Sequence, residues 1–254
     1  RVPIIFQLNG ALDGGESAFQ VSQHADQSKL PPEMRFDTMP KFRGVLIPVY
    51  PYELRRDRIH GKAKVAALIN QQGRVVAVKV LDADRPEFGL ALATAMEGFT
   101  FDPALKDGRP VQHLLSFEQD FSPSDLPDDA GDDLLSLEKK HPDRIFLNGA
   151  LDATLKPLSQ ASPAFPKSLL GKTDKGEAMI EILVDEEGRV RLPRVVSASD
   201  PAFGYSAVQA VSAWWFEPPK AAGKTVVARA QIPFKFESKS PASAQPAANP
   251  QGQP

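Results

Sequence analysis

The chain repeats itself, and that limits its fold more than any other feature. With Pro48 placed on Pro163, Pro51 falls on Pro166, Leu54 on Leu169, Gly61 on Gly176, and Gly73-Arg74-Val75 on Gly188-Arg189-Val190. The register continues without a gap through Val80 and Val195, Pro86 and Pro201, Phe88-Gly89 and Phe203-Gly204, and Ala95 and Ala210. It closes with Phe101 on Phe216, Pro103 on Pro218, Gly108 on Gly223, Val111 on Val226 and Phe121 on Phe236. Roughly a quarter of some 70 aligned positions are identical, and they are mostly glycine, proline and aromatic residues, which set turns and core anchors. A length of 254 residues suits one domain or two. The repeat decides for two, each small for a single core.

Around the repeats lie segments of different character. Leu8-Asn9-Gly10-Ala11-Leu12-Asp13 recurs as Leu147-Asn148-Gly149-Ala150-Leu151-Asp152, but its distance to the next Pro-aromatic-Pro element differs between copies. An insertion around Gly14 to Lys41 in the first copy accounts for the difference. Ser122 to Arg144 holds Asp125, Asp128, Asp129, Asp132 and Asp133 with Pro123, Pro127 and Pro142, which reads as an acidic linker ending in one or two helical turns at Leu134 to Lys140. A cation site there lacks the Gly-centred spacing of a calcium loop. Lys239 to Pro254 has no large apolar residue and is expected to be a solvated tail. The expected division is therefore 1–122 for the first unit with its lead-in and insertion, 123–144 for the linker, 145–238 for the second unit and 239–254 for the tail.

Within a unit the hydrophobic period changes twice. Ala178, Ile180, Ile182 and Val184 alternate, Asp185-Glu186-Glu187-Gly188 supplies a turn, and Val190 to Val196 resumes an apolar strand. The first unit repeats this with Ala63, Val65, Ala67 and Ile69, the turn Asn70-Gln71-Gln72-Gly73, then Val76, Val78 and Val80. Pro193 has no N–H to donate, so its strand is expected at an edge or a bulge. Phe203, Ala207, Val208, Val211 and Trp214 then fall at helical spacing, as do Phe88, Leu92, Ala95, Met96 and Phe99, with Pro201 and Pro86 at the helix starts. A last strand follows Gly223 or Gly108. In the second unit Val226, Ala228, Ala230, Ile232, Phe234 and Phe236 alternate with Arg229, Gln231, Pro233 and Lys235. The fold class is α+β: two tandem small domains, each a three-stranded antiparallel sheet covered by a helix, in the order β-β-α-β.

The ordered set Pro163-Ala164-Phe165-Pro166, Gly176, Gly188, Trp214-Trp215-Phe216-Glu217-Pro218, Gly223 and Pro233-Phe234-Lys235-Phe236 resembles the carboxy-terminal domain of the TonB energy-transducer family. Pro48-Val49-Tyr50-Pro51, Gly61, Gly73, Phe99-Thr100-Phe101-Asp102-Pro103, Gly108 and Phe117 to Phe121 resemble it again. The resemblance implies a periplasmic protein whose last strand, or its neighbour, accepts an extended segment of an outer-membrane transporter or another envelope protein by strand addition. Family transducers also carry an amino-terminal membrane helix and a Pro-rich spacer ahead of one such domain, whereas this sequence shows neither and has two domains. It opens at Arg1 without Met, as expected of a mature product whose leader or anchor lies upstream. A contact with the membrane would run through that anchor. A second reading is a soluble envelope scaffold or cell-wall binder whose two domains pair with each other.

The candidate partner-binding edge is the last strand of the second unit, with Val227, Arg229, Gln231 and Lys235 on its wet side. Any half-buried strand shows the same alternation, so simple core-and-solvent packing fits too. Tyr50, Pro51, Phe165 and Pro166 form a lead-in motif that either meets a partner or anchors the chain onto its sheet. Trp214 and Trp215 are adjacent, so one is expected in the core and the other partly exposed. Arg55, Arg56, Arg58, His60, Lys62 and Lys64 make the densest basic run, interrupted by Glu53 and Asp57, which suits a solvated face or an acidic polymer.

Other functions find little footing. Lys plus Arg number 30 against 32 Asp plus Glu, a formal net charge of −2, so no global positive field marks a nucleic-acid binder. There is no cysteine for thiol catalysis or Cys-ligated metal. His24, His60, His113 and His141 are scattered, with no closely spaced ligand pair, and no Gly-x-Ser-x-Gly elbow occurs. Gly171-Lys172-Thr173 lacks the upstream glycine of a phosphate loop, its place being held by Pro166. No catalytic residue, metal or cofactor is expected.

Overall fold

The computed structural model describes residues 4–7, 20–24, 27–123 and 129–238. The first unit comprises β1 (Ile4–Gln7), β2 (Gln20–His24), β3 (Lys41–Gly44), α1 (Tyr52–Arg56), β4 (Gly61–Ile69), β5 (Val75–Ala83), α2 (Pro86–Glu97), β6 (Thr100–Asp102), β7 (Leu105–Lys106), β8 (Arg109–Pro110) and β9 (His113–Phe121). Helix α3 (Asp129–Lys140) leads to the second, with β10 (Ile145–Leu147), β11 (Pro157–Ser159), β12 (Lys175–Val184), β13 (Val190–Ala198), α4 (Pro201–Val211), β14 (Trp215–Phe216), β15 (Lys220–Ala221), β16 (Lys224–Thr225) and β17 (Val227–Glu237). The architecture is α+β, built twice.

Each unit has the expected antiparallel core, β9-β4-β5 and β17-β12-β13, with the hairpin strand in the centre. Ala63, Val65, Ala67 and Ile69 of β4 are buried beneath Phe88, Leu92, Ala95 and Met96 of α2. Ile180, Ile182 and Val184 meet Phe203, Ala207 and Val211 in the same way. The sheets are larger than three strands because upstream segments add to the last strand: β2 and β1 antiparallel in the first unit, β10 parallel in the second. Five and four strands result. Pro193 sits on edge strand β13 where the β12–β13 register is irregular, beside Leu192 at φ 46°.

The hairpin glycines explain one of the strictest matches in the repeat. Gly73 (φ 72°) and Gly188 (φ 89°) turn the chain, and a Cβ on either would be driven into the carbonyl oxygen of Phe101 or Phe216. The same phenylalanines donate N–H to the glycine carbonyls at 2.8 Å. Turn and aromatic strand are thus one structural element.

The repeat reaches further upstream than expected. Asp152 accepts N–H bonds from Ala222 and Gly223 at 2.8 Å and donates to Lys220 O. Asp37, at the matching register position, accepts from Asp107 N at 2.8 Å and donates to Leu105 O. The register therefore holds back to Asp37, and the extra residues of the first copy end before Phe36 instead of reaching Lys41. The string Leu8 to Asp13 and the tail 239–254 lie outside the described residues.

The two units pack in a pseudo-two-fold manner. Helix α2 lies against α4, α1 against β13, and the 3-10 turn Lys167–Leu169 against β5. Tyr52 and Lys167, which begin α1 and that turn, are partners in the repeat register. Lys167 N donates to the Glu97 carboxylate at 3.0 Å and Nζ to Glu97 O at 2.6 Å. Gln209 donates to Ile47 O at 3.0 Å. The two copies thus use matching patches on each other, as the halves of an isologous dimer do.

Candidate functional site

Strand β17 alternates as the sequence requires: Ala228, Ala230, Phe234 and Phe236 are buried, whereas Gln231, Pro233, Lys235 and Glu237 are exposed. Its outer edge is divided. Val227 pairs with Ile145 and Arg229 with Leu147, so β10 covers the first two of the four candidate edge residues. Beyond Arg229 the only strand paired with β17 among the described residues is β12, on the other side. Proline in a sheet turns its nitrogen away from the ladder. Pro233 lies opposite Met179, so its nitrogen faces the open edge, and the alternation turns the N–H groups of Gln231 and Lys235 the same way.

Where β10 leaves the edge, a cleft of about 690 Å³ opens along Ala230 to Pro233. Trp214 and Phe216 form one wall, with Leu147, Leu155 and Pro157 nearby. Trp214 belongs to the second core and donates Nε1 to Ala161 O at 2.8 Å, while Trp215 is 48% exposed. Their opposite exposures come from the start of β14, since α4 ends at Val211. In the first unit the matching edge of β9 is covered by β2 from Ser116 to Gln119.

The covered end of β17 is held by groups the sequence reading missed. Arg229 reaches Glu138 of α3 at 2.5 Å, and Glu138 also accepts the Tyr52 hydroxyl at 2.6 Å. Arg194 bonds Glu181 at 2.5 Å and lies 4.9 Å over the Tyr52 ring, while Gln231 donates to Glu181 at 3.1 Å. Burial and the bond to Glu138 push the Tyr52 phenol up to about 12. Beneath this network Tyr52, Leu134, Ile145, Leu183, Leu192 and Val227 form a third core. The linker helix is therefore a packed part of the molecule, longer than one or two turns. Glu181 points to the sheet face opposite Ile180 and Ile182, yet it is buried, because α3 covers that face.

The lead-in residues face inward. Tyr50 is buried, stacks edge-on against Phe88 and Phe121, and donates its hydroxyl to Ile59 O at 2.5 Å. Phe165 meets Phe203 edge-on at 5.3 Å. Pro51 and Pro166 are the N-caps of α1 and of the turn at Lys167. The basic run is matched by carboxylates: Arg55 and Arg58 with Asp132, Arg56 with Glu53 and Asp57, Lys62 with Asp120, and Lys64 with Glu118. Among the described residues no cluster of His, Asp or Glu could hold a metal ion, and no helix is long and apolar enough to cross a membrane.

The profile of the family described as the Gram-negative bacterial TonB protein C-terminal matches residues 47–123 and again 161–238. The chain belongs to this TonB C-terminal family and carries its domain twice. Among solved structures it is similar to the solution NMR structure of the Pseudomonas aeruginosa TonB carboxy-terminal domain, at 25% identity over 34% of this chain and 88% of that one, with a TM-score of 0.30. No match is found among curated proteins. The tandem TonB domains make this a TonB-like protein-interaction module of the cell envelope.

Proposed function

We propose that the tandem TonB module works in the periplasm by accepting an extended segment of an outer-membrane transporter, or of another envelope protein, as an added strand on β17. The observation that carries the reading is the outer edge from Ala230 to Glu237, which no strand among the described residues pairs, beside a cleft walled by Trp214 and Phe216. An added strand gains main-chain bonds to groups already turned outward, and Gln231 and Lys235 supply side-chain selectivity. Val227 and Arg229 serve the neighbouring β10 instead. Binding is the whole of this function, with no catalytic step and no cofactor.

Titrating the full chain with peptides from transporter amino termini, followed by amide NMR, tests the reading. Saturable shifts are expected in Ala230 to Glu237 and at the Trp214 indole N–H. Binding that leaves those signals in place, or no binding by any such peptide, would refute it. The pairing of the two units, through α2 and α4, supports a rigid scaffold as a second role, compatible with the first because it leaves the β17 edge free.

A further inference from the structure

A cavity between two packed repeats has a mirror position on the far side of the pseudo-two-fold, and comparing the two separates packing from chemistry. One cavity of about 270 Å³ lies where α1 and the start of α2 meet β13 and α4. Val195, Ala198 and Pro201 contribute to its wall, and in the repeat register these are Val80, Ala83 and Pro86. The frame is the same in both copies. The four chemistry-bearing positions are not: Tyr52, Glu53, Glu87 and Tyr205 stand against Lys167, Ser168, Ala202 and Leu90. Shared packing needs no such divergence. Two phenol rings and two carboxylates have been gathered on one side of the molecule only.

Their engagements differ. Glu53 is paired with Arg56 at 2.5 Å, and Arg194 is committed to Glu181. Arg194 also shows that the Tyr52 ring takes a cation on its face. Glu87 has neither a hydrogen bond nor an ion pair among the described residues, and it is half-buried at the rim. Tyr205 is partly buried, and its hydroxyl is pushed well above the usual phenol range by burial and then by the Glu87 charge. An apolar guest would leave Glu87 unanswered, and an anionic one would be repelled.

We propose that this cavity receives a lysine side chain of a partner protein. The alkyl stem lies against Val195, Ala198 and Val208, and the ammonium sits between the Glu87 carboxylate and the Tyr205 ring, where ion pairing and cation–π attraction act together. Because both units build the cavity, the same contact braces their pairing. This surface is separate from the β17 edge and does not depend on it.

The probe is Nα-acetyl-lysine methylamide, titrated into the full chain by amide NMR against Nα-acetyl-norleucine methylamide, which offers an alkyl chain without the ammonium. Saturable shifts at Val195, Ala198 and Tyr205 are expected, with the lysine probe at least about tenfold tighter. Glu87→Gln, a near-isosteric change at the half-buried rim, should weaken the lysine probe about fivefold or more and leave norleucine unchanged; Tyr205→Leu, the mirror residue, should weaken it too. Equal binding of the two probes, insensitivity to Glu87→Gln, or no shifts at about 10 mM probe, roughly tenfold above a millimolar dissociation constant, each overturns the proposal.

Discussion

Gly188→Ala should be among the most damaging single changes in the second unit, and a second glycine provides its control. At φ 89° an L side chain strains the backbone by about 1–2 kcal/mol. The new Cβ is also driven into Phe216 O, so turn and strand must separate and the Phe216 N–H bond to Gly188 O, 2.8 Å long, is lost. That bond adds about 0.5–1.5 kcal/mol, and displacement of Phe216 from the core adds more, for a total near 2–4 kcal/mol. Gly223 has φ 75°, yet a Cβ there meets nothing within 4 Å. Gly223→Ala should therefore cost only the backbone strain of about 1–2 kcal/mol. Urea unfolding followed by Trp214 fluorescence reads both. With m near 2 kcal/mol/M, Gly188→Ala lowers the midpoint by about 1–2 M and Gly223→Ala by about half that. Equal shifts would mean that φ alone explains both glycines and that the close approach to Phe216 contributes nothing.

His113 is fully buried, its Nε2 has no partner among the described residues, and burial holds its imidazole below the usual range. The unfolded chain then binds a proton below about pH 6.5 that the native state refuses, so stability is retained above that pH and falls below it, by up to about 1.4 kcal/mol per pH unit. His113→Phe should flatten this slope in urea titrations between about pH 7.5 and 5.5, and an unchanged slope would exclude His113 as its source. Leu134→Ala should cost about 2 kcal/mol or more, because Leu134 is 7% exposed within the third core. A value within about 0.5 kcal/mol would mean that α3 is a tether after all.

Much of the fold is legible in the sequence because local physics writes it there. Period two in β4 and β12, helical spacing in α2 and α4, and paired glycines and prolines in fixed order each depend on neighbours within one unit. What depends on tertiary neighbours is not legible. The pairing of Glu181 with Arg194 beneath α3 depends on a helix far away in sequence. Val227 and Arg229 look like an edge until Ile145 and Leu147 arrive from a segment too short to announce itself as a strand. The acidic stretch reads as solvated because its charges outnumber its leucines, yet Leu134, with Leu135 and Leu137 beside it, carries the helix into a core. The lead-in aromatics were ambiguous for a related reason: an aromatic next to proline suits a core or a partner equally until its ring neighbours are known.

Duplication would ordinarily give a bivalent molecule, since the pairing of the units consumes their helix faces and leaves both last strands outward. Here the added strands break that equivalence. Strand β2 takes the middle of the β9 edge in antiparallel register, whereas β10 takes only the beginning of β17 and then turns away. A full-length added strand on β9 must first displace β2; on β17 it can settle beyond Arg229 with no strand among the described residues removed. The proposed strand addition is then expected on one copy only, with a peptide stoichiometry of one per chain, read by isothermal titration. The same inequality is written in the cavity between the units, where Tyr52, Glu87 and Tyr205 have no chemical counterparts across the pseudo-two-fold. On this reading the first copy of the domain serves as a fixed partner for the second, which carries the open edge.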